Sequence, residues 1–282
     1  MLRSILLALD DTPGALAARS AAIGLARRTG AALTAAAVLD RPHSRDAWEA
    51  VPVGGAAFAE HRNAALAARL EAEAAAALAA VREAAGDLPV ETITLEEAPE
   101  PALLRAAAGH DVIMLGRDST LGRQETEDGL APVILALLKD GARSLLVVPP
   151  EGGPAEGPVL VGPVLVGYDG SLPAMRALQL YALLGLAEGS AVKLLSADPD
   201  AAEAARLAAE GAGYLRRHGL VVEEWPVAGG QAAALLLAEA TTARARLLVI
   251  GAFGTGRLRA LLEGSATRSL LREAPCAVFI QH

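Results

Sequence analysis

Short apolar runs alternate with longer stretches of helical periodicity along this chain of 282 residues. The run Ile5-Leu-Leu-Ala-Leu9 ends in Asp10. Thr12-Pro13 then opens a helical pattern that Gly30 closes before a second apolar run at 31–38. The pattern returns at an offset of 159: Val164-Leu-Val-Gly-Tyr-Asp169, then Ser171-Leu-Pro173, a helix ending at Gly189, and an apolar run at 190–196. The later parts repeat as well, Val112-Ile-Met-Leu-Gly116 matching Leu247-Leu-Val-Ile-Gly251 at an offset of 135. The copies close on apolar runs at 142–148 and 274–280. The first copy has a longer middle, a polar stretch at 41–53 and an alanine-rich helix over roughly 58–85.

Each copy therefore reads as strand and helix in alternation up to a fifth strand. Apolar strands bounded by helices predict parallel pairing with both faces covered and right-handed crossovers. The expected fold class is α/β, as two tandem five-stranded parallel-sheet units. The units span 1–149 and 163–282, with a Gly- and Pro-rich linker at 150–162. Gly157-Pro-Val-Leu-Val161 is copied at once as Gly162-Pro-Val-Leu-Val166. Only the second copy is expected to be a sheet strand, because Asp169 must stand at its carboxyl end.

Composition narrows the partners. A net charge of −8 argues against a nucleic-acid partner, which needs a basic face. No apolar run reaches the length of a membrane span. The apolar N-terminal run is cut short by Asp10-Asp11 and reads as a first strand rather than an export signal. One cysteine, Cys276, excludes an intramolecular disulfide, and a cytoplasmic location is expected. Cys276 sits in an apolar strand pattern and reads as a buried structural thiol. Aromatics are only 3% of a chain that is 53% hydrophobic, so helices must lie close to sheets over Ala, Val, Leu and Ile.

The candidate chemistry is concentrated in Gly251-Ala-Phe-Gly254, nine residues, and Gly264-Ser265. It stands between a strand pattern and a helical one at 266–273. Gly251 and Gly254 allow a tight turn and close approach of a ligand. Gly264 and Ser265 open a helix whose free N–H groups favour phosphate. The Ser265 hydroxyl either adds a donor or caps the helix. There is no Gly-Lys-Ser/Thr as in a P-loop, and Arg259 stands where a dinucleotide fingerprint has its third glycine.

Three pieces together resemble the universal stress protein family in its tandem form: Val164-Leu-Val-Gly-Tyr-Asp169-Gly-Ser171, the Gly251 to Ser265 spacing, and the closing Leu271-Arg-Glu-Ala-Pro-Cys-Ala-Val-Phe-Ile280. The resemblance covers almost the whole chain. It implies an ATP site, with or without Mg2+, in which Gly251, Gly254, Gly264 and Ser265 hold phosphates and ribose. Asp169 lies against the adenine and Ser196 lines the pocket through its backbone. Asp169 as a turn or capping residue is the competing reading, and Tyr168 beside it reads as core packing rather than a base platform. The family often pairs units through their last strands, which implies an internal pseudo-dimer of the two copies. A further homodimer and an unidentified protein partner are also expected.

The first copy departs from the motif. Ser119 replaces the second glycine and Leu130 the hydroxyl residue, and Asp118, Glu125, Glu127 and Asp128 would repel a triphosphate. One competent site, in the second copy, is the expectation. The five histidines form no metal or catalytic spacing. An ATP-binding stress-response protein is thus the leading reading, with a slow ATPase or nucleotidyl-transfer enzyme and a non-nucleotide-binding interaction protein as its rivals.

Overall fold

Among the described residues the strands form one ten-stranded sheet in the order β3-β2-β1-β4-β5-β10-β9-β6-β7-β8. The computed structural model describes residues 1–40, 56–121, 130–141, 143–150, 162–187, 189–252 and 265–282. In the first half β1 (Ser4–Leu9), β2 (Ala32–Val38), β3 (Val90–Leu95), β4 (Val112–Gly116) and β5 (Ser144–Val148) are all parallel. In the second half β6 (Val164–Gly167), β7 (Val192–Asp198), β8 (Val222–Ala228), β9 (Leu247–Gly251) and β10 (Ala277–Gln281) repeat that order, also parallel. The two halves meet where β10 pairs β5 antiparallel, Phe279 opposite Leu146. The carboxyl ends of the two sets of strands consequently open on opposite edges of the sheet.

Helices cover both faces, as the apolar strands require. One face carries α1 (Pro13–Thr29), α2 (Ala56–Ala85), α5 (Leu172–Leu183) and α6 (Ala201–Arg217). The other carries α3 (Pro99–Ala106), α4 (Pro132–Asp140), α7 (Ala232–Thr242) and α8 (Ser265–Glu273). Strand residues divide between the faces by alternation: Ile5 and Leu7 join the first core, Leu6 and Ala8 the second. Both cores run through both halves, so the seam is continuous hydrophobic interior. Polar contacts cross it too. Ser144 Oγ donates to Gln281 Oε1 at 2.7 Å, both buried, and Arg117 Nη1 donates to Ala274 O at 3.0 Å.

Two sequence expectations shift. Gly30 does end α1, at φ 68°, but Gly189 does not end its counterpart. Helix α5 stops at Leu183, where Gly185 N bonds Ala182 O and Leu186 N bonds Tyr181 O, so turns fill the interval before β7. Strand β7 begins at Val192 and runs on to Asp198, paired with Ala228 of β8, which leaves Ser196 two residues inside the strand. Of the duplicated pentapeptide, the second copy supplies β6; the first, 157–161, lies outside the described residues. Cys276 is buried, and burial pushes its thiol up to about 12.

Candidate functional site

In the second half the chain leaves β6 toward β7 on one side and reaches β9 on the other. The order reverses between these two strands, and in open α/β sheets such a reversal leaves a crevice beyond the carboxyl ends. Asp169 stands there, exposed, two residues past the end of β6. Its Oδ1 accepts from Ser171 N at 3.0 Å, the only partner of this carboxylate among the described residues. Ser171 in turn caps α5, accepting from Ala174 N at 3.3 Å. Asp169 is thus a turn residue, as one of the two readings has it, and its carboxylate stays exposed.

The backbone that carries Asp169 is anchored from three sides. Tyr168 N donates to Leu195 O at 2.9 Å, and the buried Ser196 hydroxyl donates to Tyr168 O at 2.8 Å. The Ser196 side chain is therefore spent on positioning the end of β6. The Tyr168 ring is 5% exposed, packs in the notch left by Gly211 of α6, and donates its hydroxyl to Glu210 Oε1 at 2.6 Å. Burial, with the Glu210 carboxylate as the second cause, pushes the phenol well above its ordinary range. The Tyr168 hydroxyl, with Arg206 adding to it, holds Glu210 below the usual carboxylate range. Tyr168 is core packing, and Glu210 with Gly211 is a support that no local motif connects with Asp169.

Gly251 closes β9, and its missing side chain has a packing reason. A Cβ there would stand 2.3 Å from Ala174 N and 2.5 Å from Pro173 C, so the first turn of α5 lies directly against it. Gly116 at the end of β4 is the same: a Cβ would stand 2.4 Å from Ala15 N and Gly14 C of α1. Gly254 and Gly264 lie outside the described residues, and Ser265 is the first residue of α8. Because α8 joins two parallel neighbours, β9 and β10, its N-terminus is on the carboxyl-end side of the sheet. Asp169, Gly251 and the start of α8 therefore share one edge.

The equivalent place in the first half is crossed by hydrogen bonds within the chain itself. Asp10 Oδ1 accepts from Thr12 N at 3.2 Å, Thr12 Oγ1 at 2.7 Å and Ser119 Oγ at 3.4 Å, and its Oδ2 accepts from Leu121 N at 3.0 Å. Asp118 accepts from Gly14 N through Oδ1 at 3.0 Å and Oδ2 at 3.2 Å. Ser119 is fully buried, and Leu130, which replaces the hydroxyl residue, is 1% exposed within the second core. Glu125, Glu127 and Asp128 lie outside the described residues.

A family model described as the universal stress protein family matches residues 1–126 and 161–282. The chain belongs to that family. A universal stress protein from Archaeoglobus fulgidus is 20% identical, covers 99% of this chain and 97% of its own, and superposes at a TM-score of 0.64. A second, from Pseudomonas aeruginosa UCBPP-PA14, is 21% identical over 99% of this chain and 93% of its own, at 0.56. A shorter universal stress protein solved in complex with cAMP is 27% identical over 44% of this chain and 98% of its own, at 0.37. No curated protein matches the chain. In this universal stress protein no group of His, Cys, Asp and Glu suited to a metal ion occurs among the described residues, and no described helix is long and apolar enough to cross a membrane.

Proposed function

We propose that this universal stress protein binds one adenine nucleotide per chain, with ATP the leading candidate, in the crevice between β6 and β9. Asp169 faces the adenine, Gly251, Gly254, Gly264 and Ser265 surround phosphates and ribose, and Ser196 supports the pocket by fixing Tyr168. The observation that carries the reading is the exposed Asp169 carboxylate at the reversal of strand order, with the N-terminus of α8 on the same edge. Its first-half counterpart, Asp10, is already engaged. On this reading residues 1–149 and 163–282 act as two units joined by 150–162, and only the second is competent. Nucleotide binding in the cytoplasm biases a surface, or a homodimer, that a partner protein reads.

Native mass spectrometry of the protein with and without Mg-ATP tests this. One nucleotide per chain is the expected result, lost in Gly264→Val/Ser265→Leu. Two per chain overturns the assignment of a single competent crevice, and none at millimolar Mg-ATP overturns the nucleotide reading altogether.

A further inference from the structure

Two carboxylates cross the first-half crevice in opposite directions. From the end of β1, Asp10 reaches the residues that follow β4, taking Leu121 N at 3.0 Å and Ser119 Oγ at 3.4 Å. From the residues that follow β4, Asp118 reaches back to the first turn of α1 and takes Gly14 N at 3.0 and 3.2 Å. The seat is close. A Cβ at Gly14 would stand 2.1 Å from Asp118 Oδ1, so only glycine at position 14 lets the carboxylate in. Leu121, whose N–H Asp10 holds, takes φ 51°, a left-handed conformation that is unfavourable for leucine and needs such a tether to persist.

The second half lacks the parts. At the offset of 159, Gly14 aligns with Pro173, which has no N–H to donate. At the offset of 135, Asp118 aligns with Phe253, which has no carboxylate, and Ser119 with Gly254, which has no hydroxyl. Donor and acceptor of the same hydrogen bond are thus both changed between the halves, along with a second donor. The first turn of a helix is a place that favours an anion, and here the chain supplies one from within.

We infer that the Asp10 and Asp118 carboxylates form a reciprocal clasp that occupies the first crevice in place of a ligand and holds it shut. The clasp explains a first half that keeps the fold and the strand-end aspartate of the second yet takes no nucleotide. That consequence rests on the proposed function; the clasp itself does not.

Amide hydrogen exchange on the full chain, with and without Mg-ATP, separates the two. In the ligand-free protein the Gly14 and Leu121 amides are expected to be protected. Asp118→Ala should speed Gly14 exchange by about tenfold, the loss of one charge-assisted hydrogen bond. Asp118→Asn, which fills the same space with a neutral acceptor and safeguards against a folding failure of the first variant, should speed it by about threefold. Gly14 exchange that rises in neither variant overturns the clasp. So does slowing of Gly14 and Leu121 by Mg-ATP in the wild-type protein, because nucleotide would then be entering the first crevice. Protection that is unchanged by Mg-ATP across the whole chain, with Gly14 still dependent on Asp118, leaves the clasp standing and removes the nucleotide reading.

Discussion

Asp10 and Asp169 occupy the same step of the repeat, at the carboxyl end of the first strand of each half, and they meet different fates. The Asp10 carboxylate accepts from Thr12, Ser119 and Leu121, whereas among the described residues Asp169 accepts only from Ser171 and stays exposed. Gly116 and Gly251 show the opposite relation. Both close the fourth strand of their half, and both make room for the backbone of the first helix. The glycine that reads as part of a ligand motif is thus a packing requirement shared by the two halves. The aspartate that reads as shared is where they part. The difference between the halves lies in what surrounds a residue, not in whether it is retained.

The largest effects should come from the shared feature. Gly116→Ala and Gly251→Ala each push a Cβ to within 2.4 Å of helix backbone that cannot move aside cheaply. Each is expected to lower unfolding free energy by about 3 kcal/mol, the upper end for overpacking, and by similar amounts in both halves. Denaturant midpoints check this. If Gly251→Ala kept full stability and lost only nucleotide binding, the packing account of that glycine would be wrong and the two strand ends would not be alike.

The aspartates should separate where the glycines agree. Asp10→Ala strands the Leu121 and Thr12 donors and is expected to cost about 2 kcal/mol of stability with no effect on nucleotide affinity. Asp169→Ala removes one turn hydrogen bond at an exposed position and should cost about 0.5 kcal/mol, while nucleotide binding measured by titration calorimetry falls by tenfold or more. Equal stability losses in the two variants would erase the contrast between an engaged carboxylate and an available one.

Most of the fold was legible because its signals are local and occur twice. Apolar runs, the Thr12 and Ser171 caps and Gly30 recur at a fixed spacing, and each reports on its own neighbourhood. The end of α5 escapes this reading because Gly189 matches Gly30 by offset, while the helix is closed by Gly185 N on Ala182 O and Leu186 N on Tyr181 O. At the site, Asp169 and the edge it shares with α8 followed from strand ends alone. The use of Ser196, the Glu210 support and the Asp118 clasp did not, because each is a contact between residues far apart in sequence. One signal was available: Gly14 against Pro173 and Asp118 against Phe253 differ together between the copies, the mark of a pair in contact. Reading the two offsets side by side for such joint changes would have found it.

The smallest expected effect probes an asymmetry in the strand ends themselves. Tyr168 aligns with Leu9, so only the second half has a titrating residue immediately before its aspartate. Tyr168→Phe keeps the ring in the Gly211 notch and removes the bond to Glu210. Glu210 is held below its ordinary range chiefly by that bond, so its contribution is present above the unfolded carboxylate value of about 4.3 and is lost as pH falls through the lower folded value. The Glu210 side chain is 43% exposed, which discounts the bond to about 0.5 kcal/mol at neutral pH. The phenol is shifted the other way: its contribution is complete below the unfolded value of about 10 and is lost as pH rises through the raised folded value. The stability gap between wild type and Tyr168→Phe, followed by thermal unfolding from pH 3 to 11, should therefore be widest near neutrality and narrow at both ends. Leu9→Val, the matching change in the first half, trims a buried side chain and should leave a gap that is flat in pH. A flat profile for Tyr168→Phe as well would mean that Glu210 does not hold the tyrosine, and that the two strand ends differ in their aspartates alone.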